Sequence, residues 1–414
     1  MPISRKRFLR VLAASACAAA TPFGRVVAAV AQGQPAEDDD LLRVRLAIQE
    51  YDRQGYHRTA ARGDVTCAQW LVTDMRRWGV RATLDPFELS RVNPVASALQ
   101  FRSRRIEGLV GFDGTFTGPG GVEGKLGVPG DDTPFVLVRS TDAVLQELRQ
   151  SDRYVGLVVI TESPEGGKPG IYPGNADRFT NPSGPAVLQV SGEHAEYLAT
   201  QAKEKADARL VVDATRETVQ ALNVFARIAG RDPSLPPLVV FTPRSAWWTS
   251  TGERAGGLVC WAGAIRELRG VRTSRDCLFV ATTGHEIGYL GLRAFLASRE
   301  GLASRAHAWV HLGANIGASR SESLLQASSD DLDKLATDAV AAEGAAITNR
   351  TPRGERARGE AGFIHDAGGR YISLLATGNP FFHSVNDRWP HAVSADEVLR
   401  YARATVRLVK QLAA

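Results

Sequence analysis

Phe279-Val280-Ala281-Thr282-Thr283-Gly284-His285-Glu286-Ile287-Gly288-Tyr289-Leu290-Gly291 is an apolar run that turns polar at a glycine and then becomes helical. The approach to it, Asp276 to Thr282, is almost wholly apolar at the length of one strand, which suits a strand buried on both faces. After the turn, Ile287 to Ser298 carries the spacing of a helix. The same step recurs on either side. Asn223 to Ile228 and Pro237 to Phe241 read as strands, and Gly256 to Leu268 as a helix. Ala306 to Leu312 is a strand followed by the helix Ser329 to Glu343, and Tyr371 to Thr377 is a strand before the closing helix Ala395 to Leu412. Strands that alternate with helices predict an α/β fold: a mixed, mostly parallel sheet flanked by helices on both faces.

Upstream the texture differs. A helix begins near Leu42, and Thr66 to Trp78 places Ala68, Leu71, Met75 and Trp78 on one helical face, before a strand over Val80 to Leu84. Between Ile106 and Ala221 short β-like runs alternate with turns such as Gly118-Pro119-Gly120-Gly121 and Val128-Pro129-Gly130. Phe135 to Val138, Gly156 to Thr161, Ala186 to Val190 and Ala208 to Val212 are its strand candidates. The expected organisation is an export signal over 1–31, one catalytic domain made of 40–105 and 220–414, and an inserted small β-rich domain over 106–219.

Arg5, Lys6, Arg7 and Arg10 form a basic start, a small apolar stretch runs from Val11 to Ala20, and Ala29-Val30-Ala31 offers a cleavage site. Ser4-Arg5-Lys6-Arg7-Phe8-Leu9-Arg10 resembles a twin-arginine export signal, with Lys6 where the second arginine normally stands. The expected location is therefore periplasmic or secreted. Past the leader no apolar run is long enough to span a bilayer, so no membrane partner is expected. Net charge is only +5 over 414 residues and the arginines are scattered, which excludes an electrostatic nucleic-acid footprint. Cys67, Cys260 and Cys277 are too few and too far apart for a disulfide framework.

In open α/β sheets, chemistry collects at the carboxyl ends of the strands. Four ends in a row are polar here. Val240 is followed by Arg244, Ser245, Trp247, Trp248, Glu253 and Arg254; Val280 by Thr283, His285 and Glu286; Val310 by His311 and Asn315; Leu375 by Asn379, His383, Asn386 and Asp387.

The run 279–291 and the block Phe381-Phe382-His383-Ser384-Val385-Asn386-Asp387 resemble the zinc aminopeptidase and glutaminyl cyclase family (peptidase clan MH, family twenty-eight), over roughly Leu42 to Ala414. The resemblance implies an aminopeptidase-like, phosphorylase/hydrolase-type fold, and makes the insert similar to a protease-associated domain. It implies peptidase-family hydrolysis of an amide or peptide-like small substrate.

Position by position, the family's metal site is incomplete. Its first histidine ligand is missing from Pro243-Arg244-Ser245-Ala246, its bridging aspartate falls on Glu253, its catalytic glutamate on His285 and its ligand glutamate on Glu286. Its third aspartate falls on Gly313, and its last histidine is kept as His383. One zinc on Glu253, Glu286 and His383 is the expectation, with a fourth position open for water; two are not. His285 would be the base. Arg244, Trp247, Trp248, Arg254, His311 and Asn315 would form the substrate mouth. Two alternatives stand beside this reading: a metal-free enzyme using His285 and Glu286, and an inactive pseudo-peptidase serving as a periplasmic binding protein.

Overall fold

The computed structural model describes residues 39–414; the expected export signal lies outside the described residues. Four parallel neighbours, Tyr371–Thr377, Ala308–Leu312, Leu238–Pro243 and Cys277–Thr282, form the centre of the sheet in that order. Glu322–Ala327 adds antiparallel on one side and Asp207–Ile228 on the other, so the sheet is mixed. Successive residues of a strand face opposite sides. Leu238, Val240, Phe279 and Val310 accordingly join a core cluster with the helices Asp39–Arg53, Arg62–Arg77, Thr251–Leu268 and Ala395–Ala413, whereas Val239, Phe241, Val280 and Trp309 join Leu292, Phe295, Ala361 and Ile364 on the other side. Both faces are covered, which is why these strands carry so few polar residues.

Two long strands, Ala82–Gln100 and Asp207–Ile228, pair antiparallel from Ala82↔Ala226 to Gln100↔Arg209, with an irregularity between Pro94 and Ala96. They carry the middle strands Val122–Gly127, Phe135–Arg139, Gly156–Thr161 and Ala186–Ser191 beyond the central sheet. The expectation covered only Val80 to Leu84 of the first and Ala208 to Val212 and Asn223 to Ile228 of the second, where the polar Thr215, Arg216, Glu217 and Thr218 separate the two pieces. Backbone pairing across the ribbon carries the strand through that stretch regardless of side-chain polarity.

Two local departures shape the site. The expected helix Ile287 to Ser298 is a 3-10 turn, His285–Ile287, and a separate helix, Leu290–Ala297. Gly288 and Tyr289 have φ of 86° and 60°, and left-handed residues cannot continue a right-handed helix. The helix Thr251–Leu268 is buried on nearly every side, and a Cβ at Gly256 would lie 1.8 Å from the Ile316 carbonyl oxygen. Only glycine lets the helix press that closely on the loop after Ala308–Leu312. Cys67, Cys260 and Cys277 are buried and free. Among the described residues no helix is long and apolar enough to cross a membrane.

Candidate active site

The carboxyl ends of the four parallel strands lie side by side, and the polar residues after them meet in one buried region. Glu253 sits in the first turn of Thr251–Leu268 and is fully buried. That helix start is held by Asp387, whose carboxyl group accepts from the Gly252 N–H (2.7 Å) and the Glu253 N–H (3.0 Å), two of the four N–H groups that a helix start leaves unpaired. Burial, reinforced by the Glu253 charge, pushes the Asp387 carboxyl well above its usual range.

The Glu253 side chain meets the guanidinium of its own neighbour. Arg254 Nη2 is 2.6 Å from Glu253 Oε1, and Arg254 Nε donates to the Ser245 carbonyl at 2.9 Å. The close pair is poorly aligned: neither Glu253 oxygen and neither terminal Arg254 nitrogen makes a well-directed hydrogen bond, although all four atoms are buried. His383 Nε2 is 3.7 Å from Glu253 Oε1. The His383 Nδ1–H donates to the Pro173 carbonyl (2.7 Å), which leaves the Nε2 lone pair facing the carboxylate in the neutral ring. Burial keeps this imidazole below its usual range despite Glu253.

Glu286 is wholly engaged by protein. Oε1 accepts from the Thr59 N–H (2.7 Å) and hydroxyl (2.6 Å), and Oε2 accepts from the Ser245 hydroxyl (2.7 Å). Arg58 is near enough for the Glu286 charge to oppose the effect of burial on its guanidinium.

His285 points the other way, toward Glu360. Its Nδ1 is 2.7 Å from Glu360 Oε1, and Glu360 Oε2 is 3.3 Å from His311 Nε2. His311 continues inward through Nδ1 to the Ser373 hydroxyl (2.8 Å), its partner in strand register, and Gln326 Nε2 donates to the same oxygen at 3.0 Å. Burial would raise the Glu360 carboxyl, but the two imidazoles more than offset it and hold it well below its usual range. The His285 side chain keeps 10% exposure, and its ring is bonded through Nδ1, leaving Nε2 without a protein partner among the described residues. Tyr289 stands edge-on to this ring at 4.9 Å. Glu360 lies between strands in a stretch with no periodic pattern, and sequence reasoning missed it.

Several expected mouth residues lie deeper. Arg244 is fully buried, bonded to Asp64 and to the Asp64 and Leu222 carbonyls; it ties the start of Arg62–Arg77 to the strand ends. Trp247 is buried in a second core cluster. Asn315 is also buried, with φ of 65°, and bridges the Ala376 carbonyl and Asn379. Trp248 is only partly buried and donates to the His383 carbonyl at 2.9 Å. The loop after Gly156–Thr161 crosses over this region through Pro173 on His383, Asn175 on Trp247 and the Ala176 N–H on the Glu286 carbonyl.

No family model and no curated protein matches the chain. Solved structures do. A zinc aminopeptidase from Bacillus subtilis superposes with a TM-score of 0.74 at 14% identity, over 90% of this chain and 95% of that one. The fold is that of the zinc aminopeptidases. An aminopeptidase from an Aneurinibacillus strain (TM-score 0.67, 14% identity, 90% and 94% covered) and a peptidase M28 precursor from Shewanella amazonensis (0.68, 12%, 90% and 96%) agree.

On this aminopeptidase fold, the expected zinc set does not come together. Among the described residues no three His, Cys, Asp or Glu side chains are grouped to hold a metal ion. Glu286 has spent its oxygens on Thr59 and Ser245, and a guanidinium covers Glu253. The residues present do not fit the metal. Three of the buried carboxylates face nitrogen groups of the protein instead: the Arg254 guanidinium beside Glu253, the Arg58 guanidinium near Glu286, and the His285 and His311 imidazoles on Glu360.

Proposed function

We propose that this chain is a hydrolase of amide or peptide-like small substrates in which His285, backed by Glu360, is the general base, with no step that passes through a metal. One observation carries the reading: the 2.7 Å contact between His285 Nδ1 and Glu360 Oε1. A carboxylate on Nδ1 fixes the tautomer with its lone pair on Nε2 and stabilises the imidazolium that forms when Nε2 takes a proton. Nε2 is the nitrogen left open to a substrate or water, since Nδ1 is the one that Glu360 engages.

Water adds to the substrate carbonyl and passes its proton to Nε2. The C–N bond then breaks, and the same proton goes to the leaving nitrogen. The products are a carboxylic acid and an amine. In this reading the partly buried Trp248, bonded to the His383 carbonyl, would flank the substrate. The protein is proposed to work in the periplasm after removal of its leader.

The test is hydrolysis of a panel of aminoacyl and short peptidyl amides, run with and without a strong chelator. Turnover that survives the chelator and drops at least about 100-fold in His285→Gln supports the reading. Turnover that the chelator abolishes and zinc restores overturns it. A panel bound but never cleaved, equally by wild type and His285→Gln, points to the binding-protein alternative.

A further inference from the structure

We infer that the Arg254 guanidinium is the built-in cation of this site, held against Glu253 where a divalent ion would otherwise be bound by Glu253 and His383. The inference does not depend on the hydrolytic reading.

Three observations support it. Glu253 has 0% exposure and Arg254 has 1%, so both charges are removed from water, and an isolated charge at that depth is untenable. Both Glu253 oxygens and both terminal Arg254 nitrogens nevertheless lack aligned hydrogen bonds. The guanidinium thus supplies charge at 2.6 Å without the forked geometry that arginine adopts when it serves as a hydrogen-bonding clamp. Finally, His383 Nε2 lies 3.7 Å from Glu253 Oε1 with its lone pair facing it. Two ligands, each about 2.0–2.1 Å from one tetrahedral ion, are themselves roughly 3.4 Å apart. The carboxylate and imidazole are spaced as two ligands of a single ion, and the positive charge beside them belongs to Arg254.

The consequence is a hidden cation site. Shortening Arg254 removes the resident charge and leaves the carboxylate, the imidazole and the space of a guanidinium. Thermal unfolding with and without zinc, with bound zinc measured after dialysis, tests this on wild type, Arg254→Ala and the double variant Glu253→Gln/Arg254→Ala. Zinc should leave the melting temperature of wild type unchanged. Arg254→Ala should melt lower, and zinc at a hundred times its Kd should raise it by on the order of 5 °C with about one ion bound. The double variant, with no buried charge to balance, should melt above Arg254→Ala and ignore zinc. Should Arg254→Ala fail to fold, recovery of folding in the double variant supports the charge assignment. Glu253-dependent zinc binding by wild type overturns the inference, as does a folded Arg254→Ala that binds no zinc, or a double variant no more stable than the single one.

Discussion

The His311 imidazole leaves no room for a side chain at Gly313: a Cβ there would stand 2.9 Å from His311 Cε1. Two residues apart along extended chain, the positions share a face, and the imidazole takes the room a side chain at 313 would need. A carboxylate at 313, where the resemblance places the family's third aspartate, and the His311–Glu360 contact are therefore alternatives. Gly313→Asp should destabilise the protein by about 2–4 kcal/mol through overpacking and a buried charge, measured by urea denaturation. Adding His311→Ala should return part of that loss but not all, because the same Cβ would also stand 2.9 Å from Leu375 Cβ.

Glu360→Gln should lower turnover while leaving the protein folded, because the amide keeps the volume but cannot stabilise an imidazolium. Its stability carries a separate signature. Glu360 is held below its usual range when folded, so its contribution is present above the unfolded carboxyl pKa of about 4.3 and lost as pH falls through the folded value. The stability gap between wild type and Glu360→Gln should narrow on acidification; a gap that widens below pH ~4 contradicts the assignment.

His57 gives a pH dependence of its own. It is buried, stacked on Tyr51 at 3.7 Å, and burial pushes it down to about 3. The unfolded ring takes a proton near 6.5 and the folded one does not, so stability falls as pH drops from about 6.5 toward 3, by on the order of 4 kcal/mol. Asp64, raised to about 6 chiefly by burial, pulls the other way between about pH 4 and 6. Comparing wild type with His57→Gln isolates the histidine: the variant's stability profile should be flatter toward acid.

Glu286→Ala should act on stability first. Three hydrogen bonds join this carboxylate to Thr59 and Ser245, and its loss should cost about 2–4 kcal/mol. Metal content should be the same before and after the change, checked by elemental analysis.

Asp387→Ala removes the acceptor of two helix-start N–H groups and should cost about 1–2 kcal/mol. Asp387→Asn should recover much of this, because it keeps an acceptor oxygen there. Thermal melts of the pair decide it.

The central sheet was legible because buried parallel strands must be apolar at strand length: Tyr371–Thr377 matches its expected bounds to the residue, as does Gly156–Thr161, a buried parallel strand beyond that sheet. Glu322–Ala327 was not anticipated: Glu322 and Gln326 interrupt its apolar run. The gathering of Glu253, His285, Glu286, His311 and His383 near four strand ends followed from the strands. What each carboxylate faces did not follow. Thr59 reaches Glu286 from 227 positions away, and Glu360 reaches His285 across 75. Such pairings are set by tertiary packing, and no local period encodes them. Arg244 shows the same limit, because a charged residue after a strand reads as exposed until Asp64 is seen to bury with it.

The bond from His383 to Pro173 spans 210 residues, and the one from Thr59 to Glu286 spans 227. Contacts of that range form only after the chain has closed large loops, and the conformational entropy lost in closing them makes such contacts late and slow. The central sheet can assemble from neighbouring strands while His383 is still free to take either tautomer. If the proposed chemistry holds, competence should be a final event in folding, acquired when the loop carrying Pro173 settles. A refolding experiment should see native secondary structure recover before activity does, and a protease cut in that loop should silence the site without melting the sheet.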